Sequence, residues 1–371
     1  MSDRNALASR EMRADDAGPP PDPTIAPRAS LRDAMVALDQ LGTHMVVVVD
    51  AGRRCMGTVT DGDIRRAILR GLSLDAGVEE AMTRDPTVAP AELSLKEQLE
   101  VMLASEVDQL PLLDIDGRVT GLRQLVDFPR SRVRSRRRKE PGRVVLLAGG
   151  EGQRLRPLTA ATPKPMLCVG GRPLLETLVE GLADRGLCRI TIAVKYLGDC
   201  IESYFGDGGS FGVEIGYVRE TTSLGTAGPV RLAAGGDDAP VLVVNGDILT
   251  TFNYRRFIEH HQQSNNHMSL AMVPIDTEIP YGVLQLDDWE VNGIVEKPQE
   301  RCFVSAGIYL LEPEVVRGIE PDERVDMPDV IAGAVADGLK VGGFPVMEFW
   351  RDIGHHDDYA AAGKDYEEHF A

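Results

Sequence analysis

Residues 143–148, Arg-Val-Val-Leu-Leu-Ala, form an apolar run that ends in Gly149-Gly150-Glu151-Gly152. So short an apolar run reads as a strand buried on both faces. The glycines have no Cβ, so the chain leaving the strand is free to approach another group closely. A glycine loop in that place turns backbone N–H groups toward an anion. It is not a Walker loop, because no Gly-Lys-Ser/Thr follows, and Leu155 stands where a dinucleotide fingerprint needs its third glycine. A tight structural turn is the bland alternative. Arg154 and Arg156 come next, and then Lys164 between Pro163 and Pro165. The prolines restrict the backbone, so the ammonium is presented with little freedom. A transferring phosphoryl group needs cations fixed in advance.

Around this loop, strands and helices alternate. Arg189–Lys195, 213–218 and 240–247 are short β-rich runs, and 172–186, 199–205 and 227–234 read as helices between them. The alternation predicts an α/β fold with a mostly parallel, mixed sheet. Ligands in such sheets sit beyond the carboxyl ends of the strands. The segments 281–287, 291–298, 303–311 and 341–350 read as further strands of mixed direction.

The N-terminal part is built differently. Residues 25–64 and 88–127 repeat one order: extended segment, helix, strand, turn, strand. Ala26-Pro27 recurs as Ala89-Pro90, and Gly57 and Asp63 recur as Gly121 and Asp127. Leu31, Met35 and Leu38, and then Leu99, Met102 and Leu103, carry the helical apolar spacing. Two copies make a pseudo-symmetric pair, too few for a solenoid. The chain therefore divides into a leader (1–23), expected to be disordered, the repeat pair (24–127), a basic linker (128–142) and an α/β domain (143–371).

Composition removes several function classes. The net charge of −18 argues against a nucleic-acid partner, despite eight Arg or Lys in 130–143. That basic run reads as a solvated linker, with an anion contact as the alternative. No apolar stretch reaches the length of a membrane span, and the N-terminus has no signal-like apolar region. The five scattered cysteines read as reduced core thiols of a cytoplasmic protein, not as a zinc site. His260, His261 and His267 read as helix-surface residues. His355 and His356 read as surface polar residues, one of them in reach of a bound sugar.

The repeat pair resembles a tandem CBS (cystathionine-β-synthase-type) module, most clearly in Gly57-Thr-Val-Thr-Asp-Gly-Asp63. The resemblance implies an adenine nucleotide ligand, with Thr60 on phosphate and Asp63 on ribose hydroxyls. Asp127 would serve the second copy, where Gln124 replaces the hydroxyl. Asp63 as a helix cap is the alternative. The module would regulate the protein or mediate a homo-oligomer.

From residue 143 onward the chain is similar to the sugar-1-phosphate nucleotidylyltransferases. The ordered segments are 147–166, Leu224–Gly228, 244–247, 281–283, 296–298, 305–311 and 350–354. The resemblance implies a Rossmann-like domain joining an NTP to a sugar 1-phosphate, with Mg²⁺ as cofactor and pyrophosphate released. It implies that Ala148, Gly149, Gly150, Gly152 and Gln153 hold the triphosphate, with Gly225 and Thr226 at the nucleoside. It places Arg154 on the β- and γ-phosphates and Lys164 between the sugar phosphate and the α-phosphate. It makes Asp247 and Asp352 the Mg²⁺ ligands, Lys297 the sugar-phosphate cation, and Gly282, Glu296 and Ser305 sugar contacts. Gln153, where Thr or Ser is usual, and Ser305, where Asn is common, depart from the pattern. The loop 220–230 looks most like mannose-1-phosphate guanylyltransferases, so GTP is favoured, with a hexose or amino-sugar phosphate and a role in surface glycans. A uridylyl- or thymidylyltransferase and a non-catalytic nucleotide sensor remain the alternatives.

Overall fold

A computed structural model describes residues 22–105, 107–128, 141–236 and 238–370. The first 21 residues of the expected leader and residues 129–140 of the basic linker lie outside the described residues. The chain forms two compact units, Met1–Arg136 and Arg137–Ala371.

The first unit contains the expected repeat. One copy is β1 (Thr24–Ile25), α1 (Leu31–Leu41), β2 (Met45–Val49), β3 (Cys55–Thr60) and α2 (Asp61–Leu69). The other is β4 (Ala89–Pro90), α3 (Leu95–Ala104), β5 (Gln109–Leu113) and β6 (Val119–Gln124). In each copy the first strand runs parallel to the second, and the third returns antiparallel. Each helix opens with a capping box, Ser30–Asp33, Thr60–Asp63 and Ser94–Glu97. The copies meet where Val47, Val49 and Val119 share a core. Leu99 and Met102 are buried as expected, but Leu103 is half exposed, because its helix turns that side outward.

The second unit begins with β7 (Arg143–Ala148), β8 (Cys168–Val169), β9 (Arg172–Pro173), α4 (Leu174–Ala183), β10 (Arg189–Val194) and α5 (Gly198–Phe205). It continues with β11 (Glu214–Arg219), α6 (Gly228–Ala233), β12 (Val241–Asn245), β13 (Ile248–Thr250), α7 (Tyr254–Gln263) and β14 (Met268–Glu278). Then come β15 (Gly282–Asp287), β16 (Glu290–Glu296), β17 (Gln299–Leu311), α8 (Pro313–Arg317), α9 (Met327–Ala336), β18 (Val341–Pro345), β19 (Trp350–Asp352) and α10 (His356–His369).

Seven strands form one sheet in the order β11-β10-β7-β12-β17-β14-β18. β11, β10, β7 and β12 are mutually parallel, β17 is antiparallel to both its neighbours, and β18 is parallel to β14. The sheet is the mixed, mostly parallel one expected. β7 has β10 on one side and β12 on the other, so the strand order reverses at its carboxyl end. A crevice opens at such a switch point. The apolar residues of β7, β10 and β12 pack on α4 and α5 on one face. Val145, Val241 and Val243 pack on α6 and α8 on the other. β15 and β16 form a separate hairpin with exposed Leu284, Leu286, Trp289 and Ile294.

Two expectations need correction. Cys168, Cys200 and Cys302 are exposed and Cys55 and Cys188 only half-buried, so the cysteines are free thiols but not core residues. The histidines are not a surface set. His261 is 1% exposed, its Nδ1 2.8 Å from Ser269 Oγ and its Nε2 3.3 Å from Glu312 Oε1. Tyr254, Phe257, Ile258 and His261 share the buried face of α7 at helical spacing, and that spacing already marks the position as inward. His260 packs its ring on Phe344, and His267 precedes β14, where its Nδ1 accepts from the Lys340 N–H.

Burial holds the His261 imidazole below its ordinary value, against the pull of Glu312. The unfolded chain therefore takes up the proton first as pH falls. Stability associated with His261 is full above its unfolded value, about 6.5, and is lost as pH drops below it. We expect melting temperature to fall between about pH 7 and about pH 5.5 more steeply for the wild type than for His261→Asn, measured by circular dichroism.

Candidate active site

The glycine loop leaves β7 at the switch point. Gly152 has φ +60°, and a Cβ there would stand 2.8 Å from Thr159 Cγ2 and 3.1 Å from Lys164 Cβ. A Cβ on Gly149 would stand 2.5 Å from Glu220 Oε1. Gly152 therefore excludes a side chain through its dihedral and its neighbours, whereas a side chain at Gly149 would have to displace the Glu220 carboxylate. Thr159 Oγ1 donates to the Gly152 carbonyl at 2.8 Å and fixes the loop. Ala148 is buried behind it.

Lys164 opens a single helical turn after Pro163 and is 8% exposed. Its Nζ donates to Asp247 Oδ2 at 2.5 Å and lies 3.8 Å from Asp352 Oδ1. The two carboxylates are brought together by β13 and β19, which pair antiparallel with Ile248 opposite Asp352. The Ile353 N–H donates to the Asp247 carbonyl at 3.1 Å. Asp352 belongs to this strand; the residue that caps α10 is His355. Burial raises the Asp352 carboxyl above its ordinary value, as does the charge of Asp247, while Lys164 and Arg154 act against both. Two carboxylates facing one cation are a donor set that suits Mg²⁺, whose remaining sites are filled by phosphate oxygens and water. No group of three or more metal-binding side chains occurs among the described residues, so the protein alone would supply two ligands.

A cleft of ≈ 440 Å³ runs from the glycine loop across the sheet ends. Gly149, Gly150, Gly152, Gln153, Gly225, Thr226 and Asp247 line it together. Gly225 has φ +76° and lies against the Val325 carbonyl, where a Cβ would stand 2.4 Å away. The Thr226 N–H donates to Asp326 Oδ1 at 3.0 Å, and Thr226 Oγ1 accepts from the Met327 N–H at 2.7 Å. The loop 224–228 is thereby pinned to the start of α9. Lys195, Glu220, Asn245 and Asp326 also line the cleft and were missed by sequence reasoning. Lys195, Glu220 and Asp247 each stand just past the end of a parallel strand, so the switch-point rule that marks Asp247 would have found the other two. Burial raises the Glu220 carboxyl; the Leu224 N–H, which donates to it at 3.2 Å, and the charge of Lys195 oppose the rise.

The remaining expected residues lie outside this cleft. Gly282 and Glu296 face each other across the β15–β16 hairpin, with a Gly282 Cβ position 2.9 Å from Glu296 Oε2. Lys297 follows with φ +45°, and its N–H donates to the Tyr281 carbonyl at 3.2 Å. Ser305 Oγ is 2.8 Å from Tyr309 Oη. Arg154 is exposed on the turn after Gly152, its Nη1 3.2 Å from His355 Nε2. In the first unit, Asp63 closes a capping box: its Oδ2 accepts from the Thr60 N–H at 2.8 Å and from Thr60 Oγ1 at 2.6 Å. Asp127 Oδ2 accepts from the Gln124 N–H at 2.9 Å.

Comparison with known proteins covers both units. The CBS-domain family matches residues 18–70 and 78–122. The mannose-1-phosphate guanylyltransferase of Mycobacterium tuberculosis is 32% identical over 229 residues, 60% of this chain and 63% of that one. The catalytic subunit beta of the Drosophila pseudoobscura pseudoobscura mannose-1-phosphate guanylyltransferase is 32% identical over 226 residues, 58% of this chain and 60% of that one. The chain thus spans about 60% of the length of these curated relatives. A solved Bacillus anthracis structure, assigned as a glucose-1-phosphate thymidylyltransferase, shares the fold at 24% identity and a TM-score of 0.50, covering 60% of this chain and 94% of that one. The nucleotidyl transferase family matches residues 143–369, more than half of the sequence, and the chain belongs to that family.

Proposed function

We propose that this protein transfers a nucleotidyl group from an NTP, with GTP favoured, to a sugar 1-phosphate and releases pyrophosphate. The observation that carries this reading is the convergence of Lys164, Asp247 and Asp352 beside the glycine loop at the sheet's switch point. An oxygen of the sugar phosphate attacks the α-phosphorus, and the bond from that phosphorus to the α,β-bridging oxygen breaks. The carrying residues therefore position charges and need form no covalent intermediate.

In this reading the N–H groups of Gly149–Gly152 hold the triphosphate, and Arg154 neutralises the β- and γ-phosphates as pyrophosphate departs. Lys164 shares its ammonium between Asp247 and the reacting phosphates. Asp247 and Asp352 would hold the Mg²⁺, which supplies compensation of phosphate charge when bound. Lys297, with Gly282, Glu296 and Ser305, would receive the sugar phosphate. The half-buried Glu220 supports guanine: a carboxylate accepts from the adjacent N1–H and N2–H₂ donors of that base, whereas uracil and thymine offer a single N–H between two acceptors. The curated relatives named as mannose-1-phosphate guanylyltransferases agree with that choice. The CBS pair would bind an adenine nucleotide through Thr60, Asp63 and Asp127; Asp63 would have to exchange its capping bonds to do so.

Pyrophosphate release from each NTP against a panel of sugar 1-phosphates is the test. Turnover with GTP is expected, and a folded protein that binds GTP without turnover with any sugar would favour the sensor reading. Lys164→Ala and Asp247→Asn are each expected to lower kcat by about 10²–10³. Asp247→Asn is expected to keep the melting temperature near that of the wild type, whereas Lys164→Ala, which leaves Asp247 and Asp352 without their cation, is expected to lower it. Glu220→Gln, which removes one acceptor, is expected to lower kcat/KM for GTP by about tenfold to hundredfold and to narrow the preference for GTP over UTP.

A further inference from the structure

We propose that His355 is a positioning residue that holds the Arg154 guanidinium beside the cleft, ready for the triphosphate. The inference rests on the phosphate role given to Arg154 above. Arg154 is exposed, and an exposed arginine carries much rotamer freedom that it loses when it grips a phosphate. His355 Nε2 lies 3.2 Å from Arg154 Nη1. A guanidinium only donates, so Nε2 is the acceptor in this contact. A side chain without an acceptor at that point cannot replace it.

The two partners are held on rigid backbone. The His355 N–H donates to Asp358 Oδ2 at 2.8 Å at the start of α10. Leu155, next to Arg154, and Ile353, two residues before His355, are fully buried in one apolar cluster. His356 Nε2 adds a second tie, 3.1 Å from the Arg156 carbonyl. His355 thus joins the turn after the glycine loop to the segment that carries Asp352. The charged groups around the pair are Arg154 on the turn, Asp352 on β19 and Asp358 on α10.

The test is calorimetric binding of GTP and GMP to the full chain, in the wild type, His355→Ala, His355→Gln, Arg154→Ala and the Arg154→Ala/His355→Ala double variant. His355→Ala is expected to weaken GTP by about threefold to tenfold and to leave GMP within about twofold. Glutamine can set an amide oxygen near the Nε2 position, so His355→Gln is expected to recover most of the GTP affinity. In the Arg154→Ala background, His355→Ala is expected to add nothing. An equal loss for GTP and GMP, or full additivity with Arg154→Ala, overturns the proposal. If Arg154→Ala lowers GTP affinity and His355→Ala does not, His355 alone is wrong. If Arg154→Ala leaves the GTP-to-GMP ratio unchanged, the phosphate role of Arg154 fails and the positioning role with it.

Discussion

The three-residue ladder of β13 on β19 fixes the spacing of the two site carboxylates. It joins positions far apart in sequence: Thr250 Oγ1 donates to the Phe349 carbonyl, 99 residues away, at 2.7 Å. Without it, Asp247 would be the end of one strand and Asp352 the start of a helical segment, with no reason to share a cation. With it, the backbone bond from Ile353 to Asp247 sets the distance between the carboxyl groups before any substrate arrives. The central sheet supplies the other half of the arrangement. β7 and β12 run parallel and side by side, so Gly149 and Asp247 emerge from neighbouring strand ends into one cleft.

Placing two like charges so close is costly unless a cation answers them. Lys164 gives that answer from a buried position on a turn between two prolines. The raised Asp352 carboxyl reports the strain that remains, from burial and from the charge of Asp247. A site of this kind is already arranged for negative charge to be exchanged. Phosphate oxygens arriving beside the ammonium, with a divalent cation between the carboxylates, would relieve repulsions that the protein alone only partly offsets.

Much of this was legible in the sequence. β7 has the bounds that its apolar run predicts, and the glycine loop, Lys164 and Asp247 lie where a switch-point site requires them. Local signals sufficed because each depends on a few adjacent residues. The antiparallel return of β17, the β13–β19 ladder and the pairing of Arg154 with His355 were not legible, since they depend on segments distant in sequence. Lys195 and Glu220 carry no motif of their own and become site residues only once the strand order is known. His261 was misjudged for a different reason. A polar residue type outweighed a helical spacing that already placed it inside, and its burial is made possible by Ser269 and Glu312, which sequence reading had not paired with it.

Helix α10 closes the floor of the candidate site. Tyr366 on α10 lies so close to Gly170 that any side chain there would collide with its ring, at 2.0 Å from a Cβ. Ala362 of the same helix completes the apolar cluster of Leu155, Leu174, Leu249 and Ile353, on which the turn of Arg154 and the strand of Asp352 both rest. During synthesis the glycine loop, β12 and β13 are all made before this helix. A nascent chain stopped short of residue 356 would hold its glycine loop over an uncovered patch of leucines. The floor beneath the glycine loop is therefore complete only when α10 is docked on it.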